Sequence, residues 1–213
     1  MSTTDLSLNH GFREGSAESP VLLLLHGTGG SPQDLVGLGQ EISPESTLLA
    51  PAGPVSENGA ARWFRRRAEG VFDTEDVIAR THQLADFLEE ARQHYGLGTR
   101  RLVAVGFSNG ANIAAALTLL RPQALQEAIL FAAMLPVPEP PAHDLAGTRV
   151  FLSNGERDPM APMQPVGELV TALEQRGARV RSHRHPGGHQ ITREGLQEAV
   201  QWFRHGSAGA GTR

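Results

Sequence analysis

An α/β fold is predicted for this 213-residue chain, with a mostly parallel central sheet, helices on both faces and no lid domain. Three observations predict it. Apolar runs of strand length recur along the chain, and the runs are continuous rather than alternating. Helix-period segments separate them. Continuous apolar runs mark strands buried on both faces, as in a parallel sheet. Strand–helix alternation supplies the crossovers that such a sheet needs.

The elements follow in order. Residues 1–20 form an N-terminal segment where edge strands are expected. The first buried strand is Val21–Leu25. After it comes His26-Gly27-Thr28-Gly29-Gly30, and a helix should begin near Ser31-Pro32-Gln33-Asp34, since proline is tolerated in a first turn. Further strands are expected over 47–50, Leu102–Phe107, 128–131 and 150–152, with a weaker alternating strand over 180–185. Helices are expected over 73–95, where Val77, Ile78, Leu84, Phe87, Leu88 and Ala91 recur at helical spacing, then over Asn109–Leu120, 167–176 and 193–203. Residues 51–70, with their Arg62-Trp63-Phe64-Arg65-Arg66-Arg67 cluster, and the proline-rich 135–147 read as loops leaving strand ends. The domain thus spans 21–205, and 206–213 read as a flexible tail.

Composition removes several functions. Hydrophobic residues make up 39% and charged residues 20%, as in ordinary globular proteins. A net charge of -4 gives no basic footprint for nucleic acid. With no cysteine, disulfides, thiolate metal sites and a cysteine nucleophile are excluded. No apolar run reaches the length of a membrane span. Met1 to Phe12 lacks the basic and apolar regions of a secretory signal, so a cytoplasmic location is expected.

The most specific signal is Gly106-Phe107-Ser108-Asn109-Gly110. It follows the run 102–105 and precedes a small-residue helix. Strand, Gly-x-Ser-x-Gly turn and helix in that order form the nucleophile elbow of α/β-hydrolases. A serine hydroxyl is a weak nucleophile and needs a base, which in turn needs an orienting acid. The elbow's partners follow it in the order acid, then histidine. Asp158 and His189 meet that order, each just after a predicted strand. Glu156 competes with Asp158, and His183 and His185 compete with His189. A metal reading of the three histidines lacks an acidic partner at ligand spacing. The oxyanion of an acyl intermediate needs backbone N–H donors. Asn109, after the serine, supplies one and Thr28 is the candidate for the second. His26 reads as support for that glycine-rich loop.

The rest of the pocket is less determined. Trp63 and Phe64 could line it or pack their loop onto the core. Met134 and Leu135, following one strand, and Met160, following Asp158, are candidates for its apolar wall. Arg65-Arg66-Arg67 reads as a solvated face, with an anchor for an acidic substrate as the alternative.

Four segments carry a family resemblance: Leu25-His26-Gly27-Thr28-Gly29-Gly30, Gly106 to Asn112, Gly155-Glu156-Arg157-Asp158-Pro159 and Gly188-His189. Together with Arg62-Trp63-Phe64, they resemble the phospholipase/carboxylesterase family of small α/β-hydrolases, in its bacterial carboxylesterase branch. The resemblance runs over residues 21–203. It implies cleavage of carboxylic esters, with Ser108 as nucleophile, His189 as base and Asp158 as orienting acid. Three positions, in two segments, depart from the family's acyl-protein thioesterases. Asn109 stands where they carry glutamine, and Thr28 and Gly30 stand where they carry leucine and aspartate.

The expected function is therefore a serine carboxylesterase acting on small or short-chain esters through an acyl-enzyme. No cofactor and no metal are expected. The expected partner is a small-molecule ester, with a homodimer through an edge strand open. A thioesterase or lysophospholipase on the same residues, or a non-catalytic binding protein of this fold, are the alternatives.

Overall fold

The computed structural model describes residues 6–68 and 70–207. Its centre is a seven-stranded sheet. In chain order the sheet's strands are β1 (His10–Arg13), β2 (Val21–Leu25), β3 (Thr47–Pro51), β8 (Leu102–Phe107), β9 (Glu127–Phe131), β10 (Arg149–Gly155) and β11 (Arg179–His185). Four short strands, β4 (Val55–Glu57), β5 (Ala60–Arg62), β6 (Arg66–Ala68) and β7 (Val71–Phe72), lie outside it as two hairpins. The helices are α1 (Val36–Ile42), α2 (Thr74–His94), α3 (Asn109–Leu120), α4 (Met163–Glu174) and α5 (Arg193–Ser207).

The sheet order is β1-β3-β2-β8-β9-β10-β11. Only β1 runs antiparallel, pairing with β3 at one edge. The apolar strands show why. All five residues of β2 are buried, and they alternate between two cores. Leu23 and Leu25 pack with residues of α2, α3 and α4, while Leu22 and Leu24 pack with residues of α1 and α5. A strand covered on both faces cannot spare a polar side chain, so its sequence reads as a continuous run.

The topology also positions the site. The chain steps from β2 outward to β3, then returns to the other side of β2 as β8. The order of strands reverses there. Crossovers on the two sides leave a crevice at the carboxyl ends of β2 and β8, where open α/β sheets bind ligands. The loop 26–30 and the Ser108 turn are the two walls of that crevice.

Several boundaries differ from the sequence expectations. α1 begins at Val36, because residues 32–35 form turns and Ser31 Oγ bonds the Asp34 carboxylate at 2.6 Å. α4 begins at Met163 rather than 167, since Pro162 caps it and Pro165 fits within a first turn that needs no N–H. Residues 51–70 contain hairpins instead of a loop. Asn58 (φ 52°) and Gly59 (φ 83°) both take positive φ between β4 and β5, as a type I′ hairpin requires. The expected tail lies outside the described residues from 208 onward, while Gly206 and Ser207 still belong to α5. Among the described residues, no helix is long and apolar enough to cross a membrane.

Candidate active site

Ser108 sits between β8 and α3 with φ 55° and ψ -119°. A non-glycine residue pays strain in that region, and strain of this kind persists where the surroundings over-determine it. The surroundings here are the strand–helix crossing. A Cβ on Gly106 would stand 2.6 Å from the Gly110 carbonyl oxygen, and one on Gly110 would run into the carbonyls of Leu25 and His26. Both glycines are therefore fixed by space. The Ser108 N–H donates to Phe131 O at 2.9 Å, tying the turn to the end of β9.

His189 reaches Ser108 from the loop after β11. Its Nε2 lies 2.8 Å from Ser108 Oγ, and its Nδ1 lies 2.6 Å from Asp158 Oδ2. With the carboxylate as acceptor at Nδ1, that nitrogen carries the proton and Nε2 is left to accept from the serine hydroxyl. The Asp158 side chain is fully buried. Its other oxygen accepts from the Met160 and Ala161 amides at 2.8 and 3.2 Å, so the carboxylate is oriented on both sides. Glu156, its competitor in sequence, is exposed. Gly155 lets these loops meet, because a side chain there would collide with the carbonyls of Gly187 and Gly188. His185 is buried, and its Nδ1 accepts the Gly187 N–H at 3.2 Å, which steadies the loop bearing His189. His183 instead pairs with Ser153 Oγ at 3.0 Å. Among the described residues, no cluster of three or more His, Cys, Asp or Glu could hold a metal ion.

The wall opposite is the loop 26–30. His26 is buried and acts as a brace: Nδ1 donates to Gly27 O at 2.7 Å and Nε2 accepts from the Gly53 N–H at 2.9 Å. Gly29 N–H donates to Ala61 O at 2.8 Å, and Trp63 Nε1–H donates to His26 O at 2.9 Å. The first hairpin thus clamps this loop. Asn109 joins the clamp to the elbow, since its Oδ1 accepts the Trp63 N–H at 2.7 Å. The backbone N–H groups of Thr28 and Asn109 have no hydrogen-bond partner among the described residues. Both residues line the same cleft as Ser108 and His189.

The cleft is small, with about 40 Å³ accessible to the centre of a water molecule. Its other lining residues are Arg62, Arg66, Gly70, Phe72, Asn112, Ala132, Met134 and Met160. Met134 and Met160, both named from the sequence, line this cleft. Three expectations are corrected. Trp63 and Phe64 are 1% and 0% exposed, and they fill the core beneath the hairpin rather than the cleft. Leu135 faces a separate surface groove along α4, because its N–H is drawn to Pro165 O at 3.1 Å. The arginine run does not form one solvated face either. Arg65 pairs with Asp73 and Asp76, Arg67 is exposed, and Arg66 turns into the cleft.

Sequence reasoning did not place Arg62, Phe72, Asn112 or Ala132 in the cleft, and it gave Arg66 an anchoring role only as the alternative to a solvated face. Asn112 Oδ1 accepts the Met134 N–H at 2.9 Å and so holds the methionine in place. Ala132 has φ 55°, the same unusual region as Ser108, at the end of the neighbouring strand. The Asn58-Gly59 dipeptide was the available signal for the hairpin that delivers Arg62.

A parallel sheet with a serine elbow at its crevice, and a histidine and a buried carboxylate in line behind the serine, defines an α/β-hydrolase. Residues 12–205 match the model of the phospholipase/carboxylesterase family, and the chain belongs to that family. The protein MhqD of Bacillus subtilis (strain 168) is 41% identical over 197 residues, covering 92% of this chain and 98% of MhqD. Among solved structures, the Bacillus cereus carboxylesterase superposes with a TM-score of 0.92 at 41% identity, over 95% of this chain and 96% of that one. A carboxylesterase from Mesorhizobium loti superposes with a TM-score of 0.88 at 33% identity, over 94% and 96%.

Proposed function

We propose that the protein is a serine carboxylesterase acting on small or short-chain esters, and that Ser108, His189 and Asp158 are its catalytic residues. The observation that carries the proposal is the hydrogen-bonded line from Ser108 Oγ through both nitrogens of His189 to the buried Asp158 carboxylate. His189 Nε2 takes the serine proton as Oγ attacks the ester carbonyl. The resulting imidazolium is stabilised by Asp158, which also fixes the reactive tautomer. The negative charge that develops on the carbonyl oxygen is met by the unpaired amides of Thr28 and Asn109. Collapse of the intermediate passes the proton from His189 to the leaving alcohol. Water, deprotonated by His189, then attacks the acyl-enzyme and releases the acid and Ser108. Every proton in this cycle is accounted for by His189, so no cofactor is invoked.

Membership of a carboxylesterase family and likeness to carboxylesterases from two bacteria support the reaction class. The modest cleft supports small substrates. A p-nitrophenyl ester series tests both. Acetate and butyrate esters are expected to be hydrolysed at least about tenfold more efficiently than palmitate, roughly the value of one to two buried methylenes lost or gained. A preference for palmitate would overturn the short-chain reading. A butyryl thioester turned over better than the matching oxygen ester would favour the thioesterase alternative.

A further inference from the structure

Arg62 and Arg66 line the cleft that contains Ser108. Arg62 is 4% exposed. A guanidinium removed from water to that degree needs a full set of partners. It has only some. Nε lies 3.2 Å from Phe64 O and 3.2 Å from Glu57 Oε2, and Nη1 donates to Thr28 Oγ1 at 3.1 Å. Nη2 has no partner among the described residues. Glu57 is shared, since its Oε1 also takes Arg66 Nε at 3.0 Å. Among the described residues, two guanidiniums thus divide one carboxylate, which leaves the cleft wall with an excess of positive charge. Burial, then repulsion from Arg66, push the Arg62 pKa down despite the pull of Glu57, as befits a cation short of counter-charge. The side chain nonetheless stays protonated.

The other described carboxylates nearby are already engaged. Asp158 is committed to His189 and two amides, and Asp73 and Asp76 pair with Arg65. Phe72, Met134, Met160 and Ala132 supply apolar surface around the same space. The geometry points to a substrate with a short apolar body and an anionic end. We propose that Arg62 and Arg66 select esters bearing a free carboxylate, which their unpaired N–H groups bind while Ser108 attacks the ester carbonyl. Arginine N–H groups match a carboxylate in shape as well as charge. The carboxylate takes no part in bond making, so the hydrolysis is otherwise unchanged. This selection rests on the esterase reading.

The test compares charged esters with neutral ones of similar size, followed by alkali uptake at constant pH. Monoethyl glutarate against ethyl pentanoate places the carboxylate on the acyl side. Carboxymethyl butanoate against propyl butanoate places it on the alcohol side. In the native enzyme, kcat/KM for at least one charged ester should exceed that of its neutral partner by about tenfold or more, the worth of one charge-assisted hydrogen bond. Arg66→Gln should cut that ratio by about tenfold, and Arg66→Lys, which keeps the charge, should restore part of it. Arg62→Gln is less decisive because Arg62 also ties Thr28 to the hairpin. Calorimetric titration of Ser108→Ala with the preferred charged ester gives a readout free of turnover, and adding Arg66→Gln should weaken that binding about tenfold. Ratios near one, or a ratio unmoved by Arg66→Gln, would overturn carboxylate selection while leaving the esterase intact. No turnover of any ester, with no labelling of Ser108 by a fluorophosphonate, would overturn the esterase reading itself.

Discussion

Ser108, Asp158 and His189 stand on loops at the carboxyl ends of β8, β10 and β11, whereas Arg62 and Arg66 come from hairpins outside the sheet. The first group is held by the sheet's own register. β8, β9, β10 and β11 are consecutive neighbours, so their loops emerge side by side, and glycines at 106, 110 and 155 let the backbones close up. The second group is held by individual hydrogen bonds: Trp63 to Asn109 and His26, Gly53 to His26, Arg62 to Thr28, and Arg66 to Glu57. Placement of the proposed catalytic groups is thus a property of the fold. Placement of the groups facing the rest of the substrate is a property of one clamp. Changes in the first region should remove activity, and changes in the second should alter stability and substrate choice.

The largest effect is expected for Ser108→Ala, which deletes the proposed nucleophile. It should lower kcat by about 10⁴-fold or more, as loss of a triad serine does elsewhere, without lowering the melting temperature. Asp158→Asn should follow, with a loss of about 10³- to 10⁴-fold in kcat, because an amide at this position favours the wrong imidazole tautomer. An Asp158→Asn variant as active as the unaltered protein would break this half of the comparison.

The clamp should respond differently. Asn109→Ala removes the acceptor of the buried Trp63 N–H, at a cost of about 1–3 kcal/mol in folding stability measured by urea unfolding. The backbone amide of residue 109 survives that substitution, so kcat should fall far less than for Ser108→Ala. If Asn109→Ala matched Ser108→Ala in kcat while folding normally, the two regions would not be separable as described. The smallest effect is expected for Arg67→Gln. That side chain is exposed and outside the cleft, so neither stability nor the charged-to-neutral ester ratio should move.

The same division decides what could be read from the chain. β2 and β8 are apolar throughout because both faces are covered, and a five- or six-residue run of that kind has few other homes in a small domain. The elbow was legible because its two glycines answer to backbone contacts a few residues away in sequence or in the next strand. β10 extends through Ser153-Asn154-Gly155, beyond its apolar run, because those polar residues bond laterally: Asn154 Nδ2 donates to Ala133 O at 2.9 Å. The clamp was not legible. Trp63 and Phe64 look like pocket residues when only their type is known, and their burial depends on a hairpin set by Asn58 and Gly59. Arg62 is harder still. Nothing in a row of arginines tells which one will be buried against Glu57 and which will remain in water.

The central claim, that Ser108 is the nucleophile activated by His189, is tested most directly by fluorophosphonate labelling with mass-spectrometric mapping of the modified peptide. One phosphonate per chain on Ser108 is expected, lost in Ser108→Ala and strongly slowed in His189→Ala. Labelling at another residue, or no labelling of a folded protein that still hydrolyses esters, would contradict it.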